Sequence, residues 1–270
     1  MRFVDKLKNL MEGNNTRLCV GLDPDLTKIP HSLQSSEDPI FEFNKAVIDA
    51  TKDLVCTYKP NLAFYAAHGI PGFISLKKTL EYIPSHIPII LDAKMNDIGN
   101  TAEMYARYVF EQMNADAVTL NPYMGYDSIE PFLKYPDKAV FVLCLTSNTG
   151  SCDFQYLQNK NTPVYVRVME KLAEWQKTAD THIGAVIGAT HPEEFQKLRE
   201  ISPEMIFLIP GVGTQGGELE KVARYSHLKN KLGIINVSRK IIFAGNNEKN
   251  FQDPIRHTAI EYREMINQCL

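Results

Sequence analysis

Two aspartates and a lysine follow directly on a buried apolar segment in the stretch IPIILDAKMNDIG, residues 87–99. Asp92, Lys94 and Asp97 come after five apolar residues of the kind that form a buried β-strand. In an extended strand, residues two apart face the same side, so Asp92 and Lys94 should project together. These positions predict a cluster of opposite charges at the end of a strand.

Such a cluster suits a reaction that forms a carbanion. Lys59 ends the preceding strand-like run and is placed to reach the same pocket. A protonated lysine can deliver a proton while carboxylates hold its position and charge state. The cluster also suits loss of CO2. A carboxylate about 4 Å from a substrate carboxylate, at an effective dielectric of about 20, feels repulsion on the order of 4 kcal/mol, which is relieved as CO2 leaves.

A structural ion pair is the alternative interpretation of the same residues, with Asp97 as the N-cap of a helix that begins near Ile98. Two features favour chemistry over this alternative. The charges follow directly on a buried strand, where an unpaired ion would be costly, and a second lysine ends the neighbouring strand. Spacing alone does not fix the direction of the Asp97 side chain.

Apolar runs alternate with amphipathic segments along the chain, and this alternation predicts the elements that position the charges. The amphipathic segments have apolar residues at helical spacing: FEFNKAVIDATKDL, TAEMYARYVFEQM, VYVRVMEKLAEWQKTA, PEEFQKLREI and ELEKVARYS. The eight strand-like runs are nearly all apolar: LCVGLD (18–23), VCTYKP (55–60), IPIILDAK (87–94), AVTLNP (117–122), AVFVLCLTS (139–147), IGAVIGAT (183–190), MIFLIPGVG (205–213) and GIINVSR (233–239).

Strands buried on both faces are typical of a parallel sheet covered by helices. Eight βα units of this length predict a (β/α)8 TIM barrel, one domain over residues 1–270, with an extra helix in about the first 12 residues. Enzymes of this fold build their sites at the carboxyl ends of the strands. The polar residues and glycines at those ends should therefore surround one mouth: Asp23, Lys59, Asp92, Lys94, Asn121, Thr146, Ser147, Gly188, Gly211, Gly213 and Arg239.

A phosphate site is predicted after the seventh and eighth strands. The stretch IPGVGTQGGELEKVA, residues 209–223, carries four glycines before a predicted helix, where the backbone can approach an anion. Arg239 follows the last strand and has the planar fork that binds phosphate in a bidentate manner. Glycines required only for a tight turn are the alternative. The polar loop at 148–162 is either a lid over such a site or an ordinary surface loop.

Composition excludes several classes of protein. The 270 residues carry a formal net charge of -3, and no dense block of Lys and Arg indicates a nucleic-acid partner. No apolar run approaches the roughly 20 residues of a membrane span, and the first residues lack the core of a signal peptide, so we expect a cytoplasmic protein without a membrane partner. The five cysteines and seven histidines show no metal-ligand spacing, and no metal site is expected.

The motif LDAKMNDI resembles the Asp-x-Lys-x-x-Asp-Ile motif of the orotidine 5'-phosphate decarboxylase family. The resemblance extends, in the order of the family, through GLDPD, YKPN, LNPYMG, LTSN, PGVGTQGG and NVSR, from about residue 18 to about residue 245. It implies decarboxylation of orotidine 5'-monophosphate (OMP) to UMP, the last step of pyrimidine synthesis, with no metal or organic cofactor. The longer segments at 24–40 and 148–163 depart from the shorter members of the family.

The resemblance also implies roles for individual residues. Lys59, Asp92, Lys94 and Asp97 match the charged catalytic tetrad, with Lys94 as the proton donor to C6. The second Asp of the motif enters the site of the neighbouring subunit in this family, which implies a homodimer with shared active sites. The nucleotide-binding residues predicted from the motifs and the glycine-rich stretch are Asp23, Ile98, Thr101, Asn121, Ser147, Gly211, Gln215, Gly216, Ser238 and Arg239, and Asn61 also matches the family.

Two rival functions remain open from the sequence. The chain also resembles 3-keto-L-gulonate 6-phosphate decarboxylase in the Asp-x-Lys-x-x-Asp motif, and that enzyme uses magnesium. A barrel that binds a phosphorylated ligand without catalysis is the other rival. It is disfavoured because all four charged residues of the tetrad are present.

Overall fold

The strands form one parallel barrel. The computed structural model describes residues 1–190, 192–211, 219, 232–245 and 250–269. Within these residues eight strands form one sheet, and the short β6 (Gln158–Asn159) and β7 (Thr162–Pro163) pair separately as an antiparallel hairpin. The barrel strands are β1 (Leu18–Leu22), β2 (Thr57–Pro60), β3 (Ile90–Leu91), β4 (Ala117–Leu120), β5 (Ala139–Leu145), β8 (His182–Ile187), β9 (Phe207–Ile209) and β10 (Gly233–Val237).

The strand order closes the barrel. It runs β2-β1-β10-β9-β8-β5-β4-β3, and two further bridges, Tyr58 to Ile89 and Asn61 to Asp92, join β2 back to β3. All neighbouring barrel strands are parallel, so their carboxyl ends meet at one mouth. The predicted (β/α)8 TIM barrel is confirmed.

Helices cover the outside of the barrel. The helix α3 begins where Pro39 supplies a preset φ and Asp38 accepts the backbone N–H of Phe41, and it buries Phe43 and Val47 against the sheet. The helices are α1 (Phe3–Gly13), α2 (His31–Gln34), α3 (Pro39–Thr51), α4 (Leu62–Ala66), α5 (Gly69–Tyr82), α6 (Gly99–Arg107), α7 (Val164–Gln176), α8 (Pro192–Ile201), α9 (Arg239–Ile242) and α10 (Gln252–Asn267).

The predicted helix at the amino terminus closes the other end of the barrel. Phe3, Leu7 and Met11 of α1 are buried and pack with side chains from inside the barrel. The ring of Phe3 meets that of Phe141 edge to face, with 5.7 Å between centroids. The backbone N–H of Phe3 also donates to the carbonyl of Asp137, just before β5. This end of the barrel is therefore filled by apolar side chains.

One predicted segment differs from the structure, and another lies almost wholly outside the described residues. The run at 87–94 forms only the short strand β3, because the chain leaves the extended conformation after Asp92 and Lys94 has a φ of +51°. The helix predicted for ELEKVARYS lies outside the described residues apart from Leu219. No helix in the described ranges combines the length and the apolar character that a membrane span requires.

Candidate active site

A buried ion pair lies where β2 and β3 end. Lys59 is the third residue of β2, and Asp92 follows β3 directly. The Lys59 Nζ lies 2.7 Å from Asp92 Oδ2, and both residues are buried, with exposed fractions of 4% and 8%. The backbones are tied as well, because the N–H of Asp92 donates to the carbonyl of Pro60 and the N–H of Leu62 donates to the carbonyl of Asp92. The pair is therefore held from both strands.

Lys94 joins this pair from a turn. Its Nζ donates to Asp92 Oδ1, so one carboxylate binds two lysines. The Lys94 side chain is 45% exposed, in contrast to the buried Lys59. Thr119 Oγ1, from β4, lies 2.8 Å from Asp92 Oδ1 and 3.0 Å from the backbone nitrogen of Lys94. The predicted meeting of Lys59, Asp92 and Lys94 is thus present in the structure.

Opposite charges keep Asp92 and Lys59 ionised despite their burial. Burial alone would raise the pKa of Asp92, but the charges of Lys59 and Lys94 and their hydrogen bonds outweigh it, so this pKa lies well below its ordinary value. Burial would likewise lower the pKa of Lys59, but the carboxylates of Asp92 and Asp23 raise it above its ordinary value. We therefore expect a carboxylate and an ammonium across the neutral pH range.

A second carboxylate lies on the neighbouring strand end, because β1 pairs with β2, and its charge acts on Lys59. Asp23 follows β1 and is 9% exposed, and its Oδ2 accepts a hydrogen bond of 2.6 Å from Ser238 Oγ. Its Oδ1 is buried and accepts no hydrogen bond from the described residues. Gly21 makes the close approach of β1 to Ser238 possible, because a Cβ on Gly21 would lie 2.6 Å from the Ser238 Cβ. Asp23 therefore retains an oxygen that can accept a ligand hydroxyl.

Asp23, Lys59 and Asp92 line one cavity of about 600 Å3, which is the size of typical small-molecule sites, and Lys94 is bonded to Asp92 without being part of that lining. Cations outnumber carboxylates along its wall, so the cavity suits an anionic ligand. Arg239, the first residue of α9, is separated from β10 only by Ser238, and it is exposed and lines the cavity. The lining residues are Asp23, Lys28, Lys59, Asn61, Asp92, Pro210, Gly211, Asn236, Val237, Ser238, Arg239, Lys240 and Phe243.

Ser147 lies beside this cavity without being part of its lining. A Cβ on Gly211 would lie 3.5 Å from Ser147 Oγ, and Gly211 itself lines the cavity with a φ of +90°. A Cβ on Gly188 would lie 2.7 Å from the Ser147 backbone nitrogen, so a side chain at 188 would displace Ser147. Gln215 and Gly216, the other predicted phosphate contacts, lie outside the described residues.

Within the described residues, Asp97 forms no hydrogen bond or ion pair with Lys59, Asp92 or Lys94 of its own chain. It is absent from the cavity lining, and its Oδ1 accepts the backbone N–H of Ile98 at 2.8 Å. The helix α6 has Ile98 as its N-cap, which argues against the alternative that Asp97 caps this helix. Ile98 is 54% exposed and Thr101 is exposed in the first turn of α6. The structure therefore does not bring these three residues to the cluster within one chain.

The two predicted asparagines form turns. Asn61 lines the cavity and is the N-cap of α4, where its Oδ1 accepts the N–H of Ala63. Asn121 is exposed outside the cavity, and its Oδ1 accepts the N–H of Tyr123. Its backbone N–H donates to Asn96 Oδ1, which ties the loop after β4 to the loop after β3.

Several residues at the site were not predicted from the sequence. Thr119 and Asn236 lie inside apolar runs, where a polar side chain must find a partner and could have been noticed for that reason. Asn236 is 7% exposed, lines the cavity and accepts a hydrogen bond from Cys19 Sγ. Lys28 comes from the longer segment at 24–40, pairs with Asp25 and lines the cavity, and no local pattern distinguishes it from a surface lysine.

Comparisons with known proteins agree with this geometry. A sequence model described as the orotidine 5'-phosphate decarboxylase / HUMPS family matches residues 16–253. Proteins named orotidine 5'-phosphate decarboxylase are 44% identical in Herpetosiphon aurantiacus, with 95% of both chains covered, and 47% identical in Flavobacterium johnsoniae, with 94% of this chain and 93% of the other covered.

A solved structure of a Leishmania donovani OMP decarboxylase has the same fold. It superposes with a TM-score of 0.83 at 36% identity, covering 100% of this chain and 98% of the other. The sequence match, the full-length relatives and this superposition all include the strand ends that carry Lys59, Asp92 and Lys94. The chain therefore belongs to the orotidine 5'-phosphate decarboxylase / HUMPS family.

Proposed function

We propose that this protein decarboxylates OMP to UMP without a metal, through a carbanion-like species at C6 that Lys94 protonates. The observation that carries the proposal is the buried carboxylate of Asp92, bonded to two lysines in a cavity that Arg239 also lines. The names of relatives that share 44% and 47% of their residues with this chain support the choice of substrate.

The proposed reaction assigns a separate task to each charged group. The bond between C6 and the carboxyl carbon breaks, CO2 leaves, and the electron pair remains on C6. Asp92 places negative charge near the departing carboxylate, and the ammonium groups stabilise the charge that develops on the ring. Lys94 Nζ then transfers one proton to C6 and becomes a neutral amine. Because the Lys94 side chain is 45% exposed, water can return that proton.

The remainder of the substrate would be held by the rest of the cavity. Asp23 Oδ1 is buried next to Lys59, accepts no hydrogen bond from the part of the chain that the structure describes, and can accept one from a ribose hydroxyl. We assign Ser147, which lies beside Gly211, to the edge of the pyrimidine ring. Arg239 offers its guanidinium to the phosphate, and binding there would contribute energy to the chemistry at C6.

Activity in the presence of EDTA tests the proposed reaction directly. We expect full conversion of OMP with no dependence on added Mg2+. The reaction is measured by the change in ultraviolet absorbance that occurs as the ring loses its carboxylate. Turnover that disappears in EDTA and returns with Mg2+ would contradict the metal-free reaction. Activity on 3-keto-L-gulonate 6-phosphate instead of OMP would establish the magnesium-dependent rival.

Replacement of Arg239 tests the phosphate contact. We expect Arg239→Ala to raise the KM for OMP and to lower kcat/KM. The corresponding loss of transition-state stabilisation should be about 3 to 5 kcal/mol, because a bidentate pair of charged hydrogen bonds is lost. The preference for OMP over unphosphorylated orotidine should fall with it. Arg256→Ala is the matched control, since Arg256 forms a bidentate pair with Asp53 outside the cavity. An unchanged preference for the phosphorylated substrate would refute the role of Arg239.

We also propose that the protein is a homodimer in which Asp97 reaches the site of the partner subunit. Asp97 lies outside the cavity of its own chain, and exposed apolar side chains occur near it. Ile98 and Met104 of the α6 segment are 54% and 52% exposed, and Tyr123 in the loop after β4 is 88% exposed. Asn96 ties these two segments together. Exposed apolar surface of this kind is typical of a protein interface.

A further inference from the structure

A single buried hydroxyl, that of Thr119, is bonded to both Asp92 and Lys94 of the charged cluster. Thr119 lies in β4 and is 1% exposed. In the pairing of β3 with β4, Leu91 is opposite Val118, so the next positions along both strands are Asp92 and Thr119. Thr119 Oγ1 lies 2.8 Å from Asp92 Oδ1 and 3.0 Å from the backbone nitrogen of Lys94. The hydroxyl is therefore bonded to both residues at once.

The directions of these two hydrogen bonds follow from their chemistry. The backbone N–H of Lys94 can only donate, so Thr119 Oγ1 accepts from it. The hydroxyl hydrogen is then left to donate to Asp92 Oδ1. Asp92 consequently accepts from Lys59 at Oδ2 and from both Lys94 and Thr119 at Oδ1. Three donors fix the plane of this carboxylate and assign each of its oxygens to a different lysine.

The hydrogen bond to the backbone acts on Lys94 in another way. Lys94 has a φ of +51°, in the left-handed region that residues with a Cβ seldom adopt. The N–H of a residue that has left its strand would lack a partner in the sheet. Thr119 supplies that partner and thereby stabilises the turn from which the Lys94 side chain departs.

We propose that Thr119 is a positioning residue for proton transfer. Its hydroxyl fixes the position of the Asp92 carboxylate relative to the backbone of Lys94. Thr119 is not expected to contact the substrate, because only 1% of its surface is exposed and its hydroxyl is bonded to Asp92 and Lys94. This inference rests on the proposed decarboxylation and goes beyond it by adding a residue that acts through two others. Removal of the hydroxyl should leave the Asp92 carboxylate with two of its three donors and the Lys94 turn without its anchor.

Two substitutions at this position separate positioning from packing. Thr119→Val keeps the volume but removes the hydroxyl, and we expect kcat to fall about 10- to 100-fold, the size of effect that small misplacement of reacting groups can produce. The KM for OMP and the Kd for UMP should change less than about threefold, since the phosphate and ribose contacts are retained. Thr119→Ser keeps the hydroxyl and loses a methyl group, and its kcat should remain within about threefold of the wild type.

A buried threonine whose hydroxyl is not bonded to the cluster provides the control. Thr57 in β2 is also fully buried, and its Oγ1 donates to the carbonyl of Pro88 at 2.7 Å. Thr57→Val should lower the melting temperature, as Thr119→Val should, but it should leave kcat unchanged.

Each possible result bears on the inference. A wild-type kcat in folded Thr119→Val overturns it, and so does a loss in Thr119→Ser as large as that in Thr119→Val, because the methyl group would then be the important part. Absence of OMP turnover in the wild-type protein would instead refute the proposed function, so the two failures can be told apart.

Discussion

Turnover of OMP is expected to fall by about 10⁴-fold or more in Lys94→Ala, at or beyond the upper end of the range for general acid catalysis. The loss should be this large because Lys94 supplies the proton and also stabilises the charge that develops at C6. The variant should still fold, since Asp92 keeps its bonds to Lys59 and Thr119. UMP binding, measured by calorimetry, should therefore be retained while steady-state turnover is lost.

Lys78→Ala is a close control for this experiment. The Lys78 side chain is 47% exposed, against 45% for Lys94, and it also pairs with an aspartate, Asp38, at 3.0 Å. Lys78 lies on α5 outside the cavity, so its replacement should leave turnover unchanged. A near-normal rate in Lys94→Ala would rule out Lys94 as the proton donor.

Mixed dimers should regain activity that neither parent variant has. Lys94→Ala and Asp97→Ala are each expected to be inactive alone. After subunit exchange, about half of the chains should be in mixed dimers that each hold one intact site, so about a quarter of the wild-type activity should return. The recovery follows because one subunit would supply Lys94 and the other would supply Asp97. Turnover of OMP before and after exchange provides the measurement.

The control mixes Lys94→Ala with Asp92→Ala. Both substitutions affect the cluster of their own chain, so every site in the mixed dimer carries one of the two changes and no activity should return. Activity in this control would show contamination or reassortment unrelated to the shared site. Absence of recovery in the Asp97 mixture, after exchange has been verified by mass spectrometry of the dimers, would contradict action of Asp97 across the interface.

Strand patterning predicted much of the fold and the central part of the site. Apolar runs indicated the strands, and the rule that barrel sites lie at the carboxyl ends of strands indicated where Lys59 and Asp92 would meet. The meeting of Asp92 with Lys94 was also predicted, but the reason was different. Lys94 reaches Asp92 from a turn with a φ of +51°, whereas alternation along an extended strand was the expected cause.

The remaining parts of the site depend on which strands are neighbours. Thr119 lies opposite Asp92 only because β3 pairs with β4 in one register. The spacing of residues within either segment does not predict that register. Ser238 meets Asp23 because β10 lies next to β1, although 215 positions separate them in the sequence. The direction of Asp97 similarly required the three-dimensional course of the chain after β3.

The helix α1 closes the barrel at the amino ends of the strands, so stability and chemistry depend on opposite ends of the molecule. Phe3, Leu7 and Met11 fill one end of the barrel, while the charged cluster lies at the opposite end. Substitutions that repack the end closed by α1 can therefore change the stability of the protein without changing the side chains that support the cluster. Evolution and protein engineering can thus change the thermal stability at one end of the barrel independently of the activity at the other end.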